Sequence, residues 1–264
     1  MKISLVTPSY NQASFIARTI DSVLGQQGDF ELEYRVIDGG STDGTREILE
    51  SYGDRLHWVS ERDRGQVDAI NRGLRSATGD VVGWLNSDDV LMPGALDRVV
   101  KSFAANPDAE WLHGRCVIID ANDREVRRWI SAYKHYRSQR HTLASFLTEN
   151  YVSQMTVFWR RGVHAEIGYL DPEIRYAFDY DLFLKLAQRG APLYVEEPLA
   201  CFRWYETSKS GAGFVVQMTE TAEIASRSSS ASSLTRVQAL AKKTAIINIY
   251  RALGLARTTF GRSR

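Results

Sequence analysis

Two carboxylates stand side by side at Asp88 and Asp89, inside the stretch VVGWLNSDDVLMPG that runs from Val81 to Gly94. The stretch opens on apolar residues suited to a buried strand and reaches Pro93, which suits a first helical turn. Adjacent anions repel unless something offsets their charge. A hard divalent cation does so through oxygen ligands, and Mg2+ or Mn2+ takes one or two carboxylates together with substrate phosphate oxygens. Asn86 adds an amide oxygen two residues before Asp88. The competing use of such acids is to cap the next helix, whose N-terminus favours negative charge.

Other polar clusters follow apolar runs in the same way. In VIDGGSTDGT, Gly39 and Gly40 permit close backbone approach while Asp38 and Asp43 bracket the loop. A phosphate cradle would carry a lysine at a helix N-terminus. An acidic loop instead accepts hydrogen bonds from a nucleobase or ribose, and Asp38, directly at the strand end, is the stronger candidate. Thr42 or Asp43 also suits a helix cap. Pro8-Ser9-Tyr10-Asn11 ends the first apolar run. Far along the chain, YAFDYDLF sets Asp179 and Asp181 among aromatic residues. Such surroundings raise a carboxyl pKa and favour proton uptake from a hydroxyl, although either acid also suits a helix cap.

The elements that must position these residues alternate. ISLVTPSY, EYRVIDGG, LHWVSE and VVGWLNSDD read as strands; FIARTIDSVLGQQG, TREILESYG and QVDAINRGLRSAT read as the helices between them. This alternation predicts an α/β fold with a mainly parallel sheet and helices on both faces, where ligands sit beyond the C-terminal strand ends. The first three clusters therefore converge on one crevice. Beyond about Pro107, AEWLHGRCVIID, EVRRWISAY and SQMTVFWRR read as strands of an added antiparallel part, FDYDLFLKLAQRG as an amphipathic helix and LYVEEPLACFRW as a strand. From about Gly211 the character changes: ASRSSSASS reads as a linker, and a helical tail follows. From Arg227 to Arg264 the tail carries eight cations and no acid, and Ile246, Ile249, Tyr250 and Leu253 share a helical face. A basic amphipathic helix lies on an anionic membrane or packs on its own domain or a second subunit.

Composition narrows the classes. The chain has 264 residues, 33 basic against 32 acidic, for a formal net charge of +1. That balance argues against nucleic-acid binding. Cys116 and Cys201 are too few for a disulfide framework or a zinc cluster and suit a reducing, cytoplasmic compartment. The start, MKISLVTPSYNQ, holds too short an apolar run for a signal peptide, and no stretch approaches the roughly 18 apolar residues of a membrane span. The histidines, His113 among them, lack metal-ligand spacing. No G-x-G-x-x-G follows the first strand, which excludes the usual nicotinamide-dinucleotide fingerprint.

In this order, SLVTPSYNQASFIARTIDSVLGQ, YRVIDGGSTDGTREIL, ERDRGQVDAINRGLRSATGDVVGWLNSDDVLMPGAL and FDYDLFLKLAQRG resemble the family 2 glycosyltransferases of the GT-A fold. The resemblance covers roughly four fifths of the chain, from about Lys2 to Lys209. It implies a donor-binding half over 1–107, an acceptor and catalytic half over 108–210, and the linker and tail over 211–264. It places Pro8, Tyr10 and Asp38 at the base and ribose of a nucleotide-sugar, with a uridine diphosphate donor the default, and Asp68 and Asn71 at the nucleotide border. Asn86-Ser87-Asp88 stands at the family's D-x-D motif, with Asp88 the metal ligand and Asn86 replacing the first acid. Asp179 matches the catalytic base, with Asp181 second. Arg203 and Lys209 are diphosphate partners on a mobile loop, Tyr205 stands where a histidine often follows the arginine, and Gln154 matches an acceptor-side polar position. The implied reaction is inverting transfer of a sugar to a saccharide or lipid-linked saccharide hydroxyl, aided by Mn2+ or Mg2+, in bacterial surface polysaccharide synthesis. The Asn86 and Tyr205 departures keep a catalytically inactive carbohydrate-binding or scaffolding relative as the alternative.

Overall fold

The computed structural model describes residues 1–206, 208, 213–228 and 230–260. Among these, eight strands form one mixed sheet, in spatial order His57–Ser60, Glu31–Asp38, Lys2–Ser9, Val81–Trp84, Phe158–Arg160, Trp111–Ile119, Leu193–Arg203 and Val90–Leu91. The first half is built from βα units: β1 Lys2–Ser9, α1 Ile16–Leu24, β2 Glu31–Asp38, α2 Thr45–Ser51, β3 His57–Ser60, α3 Gln66–Ser76 and β4 Val81–Trp84. Their strands pair in parallel, with Ser9 opposite Asp38 and Asp38 opposite Ser60. The inner strands β1 and β4 are buried from both faces, which is why they read as continuous apolar runs, whereas β3 at the edge has no buried residue. The register brings the loops after β1, β2 and β4 to one edge of the sheet, as the alternation predicted.

The second half holds β5 Val90–Leu91, α4 Ala95–Ala105, β6 Trp111–Ile119, α5 Arg128–Ser138, α6 Leu143–Phe146, β7 Phe158–Arg160, α7 His164–Ile167, α8 Phe178–Arg189 and β8 Leu193–Arg203. β7 pairs antiparallel with both β4 and β6, and β5 antiparallel with β8, but β6 and β8 run parallel. The added part is thus mixed rather than antiparallel throughout. EVRRWISAY is a correction: its only strand-like contact is a single bridge from Glu125 to Ile119, and Arg128 begins α5. Its inward side is small and polar, with Ser131 and Ser138 buried, while Trp129, Tyr133 and Tyr136 face out. The aromatic content suggested a pleated strand, yet the apolar residues do not mark the buried face.

The chain ends in α9 Phe214–Arg227 and α10 Ser233–Phe260. α9 lies in the stretch whose character changes from about Gly211 and overlaps the expected linker ASRSSSASS only at 225–227; Ala231, between the two helices, is buried. Ile224 and Ala225 join the same buried cluster as Trp84, Phe178 and Phe183, so α9 packs onto the domain. The proposed tail face of Ile246, Ile249, Tyr250 and Leu253 lies outside the described side chains. Among the described residues no helix is long and apolar enough to cross a membrane.

Candidate active site

The loop after β4 is built from below. Trp84 is buried, its ring stacked on Phe183 with centroids 6.2 Å apart and edge-on to Trp159 at 5.7 Å. That anchor fixes where Asn86 emerges. Thr19 of α1, fully buried, donates its hydroxyl to the carbonyls of Ser87 at 2.9 Å and Asp89 at 2.8 Å. The Asp89 carboxylate turns inward, accepting from the Arg203 backbone N–H at 2.8 Å and the Asn86 amide at 3.3 Å. Arg203 reaches under the same loop, its Nε donating to the Asp88 carbonyl at 2.8 Å and Nη1 to the Asp120 carbonyl at 2.8 Å. Its Nη2 forms an ion pair with Asp123 at 2.6 Å, and its guanidinium lies 5.0 Å from the Phe15 ring centroid.

This arrangement divides the two adjacent acids. Asp89 is fully buried and structural: burial, reinforced by the neighbouring charge of Asp88, pushes its pKa well up. Asp88 remains partly accessible, its pKa also raised, chiefly by burial, with the Tyr205 hydroxyl acting in the opposite sense. Tyr205 donates to Asp88 Oδ2 at 2.9 Å, and its ring stands 5.1 Å from that of Phe15. The position where the resemblance puts a histidine thus carries a phenol that touches the expected metal-binding carboxylate. Asn86 is held by Gln66, which donates to its Oδ1 at 2.9 Å, and by Gln154, whose Oε1 accepts from its amide at 3.2 Å. Gln154 also donates to the Trp84 carbonyl at 2.7 Å, so it braces the loop from the short turn Gln154–Thr156.

The donor-set chemistry sets what a cation would find here. Asn86 and Asp89 are engaged by protein groups, and no cluster of three or more His, Cys, Asp or Glu suited to a metal occurs among the described residues. Asp88 alone offers a carboxylate at the loop's edge. That fits Mg2+ or Mn2+ in the mode where substrate phosphates and water supply most ligands, and does not fit an all-protein cage.

The neighbouring loops are self-contained. Asp38 is fully buried; its Oδ2 accepts from the N–H groups of Gly40 at 3.1 Å and Ser41 at 2.9 Å and from the Ser60 hydroxyl at 2.6 Å, while Oδ1 accepts from the Ser41 hydroxyl at 2.5 Å. Its carboxylate shapes the loop from inside, in place of the direct base or ribose contact expected of it. Gly40 sits at φ +83° and Gly44 at φ +97°, left-handed values that a side chain would strain. Asn11 ties this loop to the first: its N–H donates to the Ser41 hydroxyl at 2.7 Å and its Oδ1 accepts from the Thr42 N–H at 2.9 Å. Pro8 is buried in β1, and Tyr10 beside it is 62 % exposed, with its ring open to solvent. Asp43 takes the capping role, accepting from the Thr45 N–H at 3.1 Å and hydroxyl at 2.6 Å and from the Ala13 N–H at 3.0 Å. Burial pushes its pKa up, but these hydrogen bonds hold it below the usual carboxylate range.

Two further placements differ from expectation. Asn71 sits at no free border: its amide donates to the Leu170 carbonyl at 2.8 Å and accepts from the Leu170 N–H at 3.1 Å, clamping α3 to the second half. Arg203 belongs to β8, fully buried beneath the loop, and not to a mobile segment; its fork is used by Asp88, Asp120 and Asp123. Lys209 lies outside the described residues. Asp68 is paired with Arg64 at 2.9 Å, which holds its carboxyl below the usual range.

Asp179 and Asp181 occupy the first turn of α8. Two positions along a helix are about 200° apart, so the acids point different ways. Asp181, half-buried, pairs with Lys185 one turn further on at 2.7 Å. Asp179 accepts from the Tyr180 N–H at 2.8 Å, and its charge reaches the half-buried Lys134 of α5. Phe178 next to it packs on Trp84, centroids 6.4 Å apart, which couples the start of α8 to the root of the Asn86–Asp89 loop. The entry to α8 is held by Glu220 of α9, which accepts from the N–H groups of Tyr176 at 2.7 Å and Ala177 at 2.9 Å. Sequence reading missed both Glu220 and Thr19. Thr19 had a signal, being a hydroxyl on the face that Ile16, Ile20 and Val23 share.

With this geometry in hand, the sequence matches the model described as Glycosyl transferase family 2 over residues 4–168, and the chain belongs to that family. Its fold is the GT-A fold: the S. aureus protein TarS, residues 1–349 in complex with UDP, superposes with a TM-score of 0.66 at 20 % identity over 98 % of this chain and 73 % of that one. The mannosyltransferase PcManGT from Pyrobaculum calidifontis, in complex with GDP-Man and Mn2+, gives 0.65 at 20 % identity over 96 % and 80 %. Among sequence relatives, an uncharacterized glycosyltransferase of Nostoc sp. is 36 % identical over 48 % of this chain and 40 % of its own length. A PGL/p-HBAD biosynthesis glycosyltransferase of Mycobacterium bovis is 30 % identical over 69 % of this chain and 68 % of its own.

Proposed function

We propose that this chain transfers a sugar from a nucleoside diphosphate donor to an acceptor hydroxyl with inversion. The observation that carries the reading is Asp88: a partly accessible carboxylate at the end of β4, braced from beneath by Arg203, Asp89 and Thr19, beside the loops of β1 and β2. Tyr10 offers an open ring to the base, and the Asp38 loop offers its rim to the ribose. Residues 1–107 then act as the donor half, 108–210 as the acceptor half and 211–264 as the tail. TarS in complex with UDP-GlcNAc supports a uridine diphosphate sugar as donor; the GDP-Man complex of PcManGT supports divalent cation use.

In this reaction Asp179 accepts the proton of the acceptor hydroxyl as its oxygen attacks the anomeric carbon. The bond from that carbon to the diphosphate oxygen breaks with its electron pair, and the diphosphate departs from the opposite face. One base and no protein nucleophile suffice for this single displacement. A divalent cation, when bound at Asp88, supplies charge compensation to the leaving diphosphate. Acceptors of a saccharide or lipid-linked saccharide kind, at the cytoplasmic membrane face in surface polysaccharide synthesis, fit the relatives' glycan products, such as the chondroitin synthase of Pasteurella multocida, of whose length the match covers 19 %. The second reading is an inactive carbohydrate-binding or scaffolding relative. It is favoured by Tyr205, which occupies one Asp88 oxygen.

The test is a thermal-shift screen of uridine, guanosine and thymidine diphosphates with and without Mn2+, on wild type and Asp88→Ala. A genuine donor site gives about 2–3 kcal/mol of stabilisation at hundredfold excess over Kd, with metal only, and loses it in the variant. Absence of any shift, together with no donor hydrolysis, would leave the scaffold reading standing.

A further inference from the structure

Helix α5 carries a surface that neither donor nor acceptor chemistry uses. Trp129, Tyr133 and Tyr136 are 65 %, 44 % and 53 % exposed. At 100° per residue they fall within about 60° of arc on one face. A soluble helix normally turns such a stripe inward. Here the inward positions are Ser131, Lys134 and Ser138, with Lys134 donating to the Ser153 hydroxyl at 3.2 Å. Apart from the inward Lys134, the sequence around the stripe is strongly basic: Arg124, Arg127, Arg128, Arg137 and Arg140 against the single acid Glu125. In a chain of net charge +1, this segment and the acid-free tail from Arg227 concentrate the positive charge, leaving the remainder acidic.

The two basic elements adjoin. Glu149 Oε2 accepts from the Tyr133 hydroxyl at 2.8 Å and from Lys242 Nζ of α10 at 3.3 Å. α10 also exposes Leu234, Val237 and Leu240.

We propose that α5, together with the adjoining α10, is a docking surface for an anionic phospholipid bilayer. Trp and Tyr settle at the headgroup level of membranes, and each Arg or Lys near an anionic leaflet adds to the attraction. Two alternatives fit less well. A saccharide platform needs open ring faces, yet the Arg140 guanidinium already covers Tyr136, 4.1 Å from its centroid. A second copy of the chain would bring the same cations face to face across a two-fold interface. The surface needs only a bilayer and does not depend on the donor-site reading.

The experiment is co-sedimentation of the full chain with vesicles of phosphatidylcholine alone or with roughly one third phosphatidylglycerol, compared across wild type, Trp129→Ala/Tyr136→Ala and Arg128→Glu/Arg140→Glu. Nucleoside diphosphate thermal shifts and circular dichroism are measured on the same samples. The expected result is binding to the anionic vesicles only, reversed by salt, and weakened about tenfold in each double variant. In wild type the emission assigned to Trp129, by difference from Trp129→Phe, shifts to the blue; Trp84, Trp111 and Trp159 are already fully buried. The proposal is overturned if folded wild type ignores anionic vesicles, if both double variants bind as wild type does, or if soluble oligosaccharide shifts Trp129 while vesicles do not. Concentration-dependent self-association lost in the aromatic variant, without vesicle binding, overturns it in favour of a dimer. Failed vesicle binding with intact diphosphate shifts would leave the donor site untouched.

Discussion

The two halves of the sheet reach order by different routes. In the first, each strand is followed by its own helix, and loop polar groups are satisfied mostly by nearby loops: Asp38 by Gly40, Ser41 and Ser60, Asp43 by Thr45 and Ala13. In the second, order comes from distant segments. β6 pairs with β8 across an intervening run of helices, and the Asn86–Asp89 loop is completed by Arg203. The first half is a set of local units, whereas the second half is a brace that finishes the site those units began.

That contrast can be broken most directly at Arg203. Replacing it with methionine removes the cation beneath the loop, takes the guanidinium donors away from the Asp88 and Asp120 carbonyls and leaves Asp123 with Arg18 as its remaining ion-pair partner. The expected loss is about 3–5 kcal/mol, read as a fall in the denaturation midpoint, together with loss of diphosphate binding. A variant of ordinary stability would show the brace to be dispensable.

Asp179 and Asp181 sharpen the comparison within the second half. Asp179→Asn should lower kcat by about 10²–10⁴ with little change in donor Kd. Asp181→Asn removes a half-buried pair with Lys185, and should cost stability while leaving kcat within a few-fold of wild type. Equal losses in both would mean that α8 serves as a structural unit and carries no base.

The smallest effect separates the halves by acid. His113, fully buried in the second half, has its pKa pushed down to about 3 by burial first and by the nearby His141 and Lys134. The unfolded imidazole takes a proton near its ordinary value of 6.5 and the folded one does not. Stability present above that value therefore falls as pH drops from 6.5 toward 3. Glu33 in the first half is pushed up by burial, yet hydrogen bonds from Ser4, the Thr78 N–H and Arg35 bring its pKa down to about 2. Its contribution is complete above 4.5 and is lost only between 4.5 and about 2. His113→Phe should make the Tm profile between pH 6 and 4 less steep, the remaining slope coming from His141 and His164, whose pKa values burial also lowers; Glu33→Gln should change only the more acidic limb, and an unchanged profile in the His113 variant would refute the assignment.

The same contrast explains what could be read without coordinates. Continuous apolar strands, glycine-rich loops and amphipathic helices carry their roles in adjacent residues, so the first half and the convergence of its loops were legible. α5 was not, because its aromatic residues face outward and its buried face is serine and lysine. Asn71 and Arg203 were identified as polar residues of consequence, but their partners Leu170, Asp120 and Asp123 lie far along the chain. Nothing local says whether an amide or guanidinium meets a ligand or a distant backbone. Asp88 and Asp89 look alike in sequence; only the inward pull of Arg203 separates them.

Arg203 stands 114 residues beyond Asp89, whose carboxylate its N–H reaches. During synthesis the first four strands emerge and can pair well before β8 exists. The Asn86–Asp89 loop therefore lacks its floor until almost the whole domain has been made, and closing so long a span is a late event in folding. A truncated or nascent chain has the loops after β1 and β2 but not a braced Asp88, so a partly made molecule lacks the site proposed here for the donor.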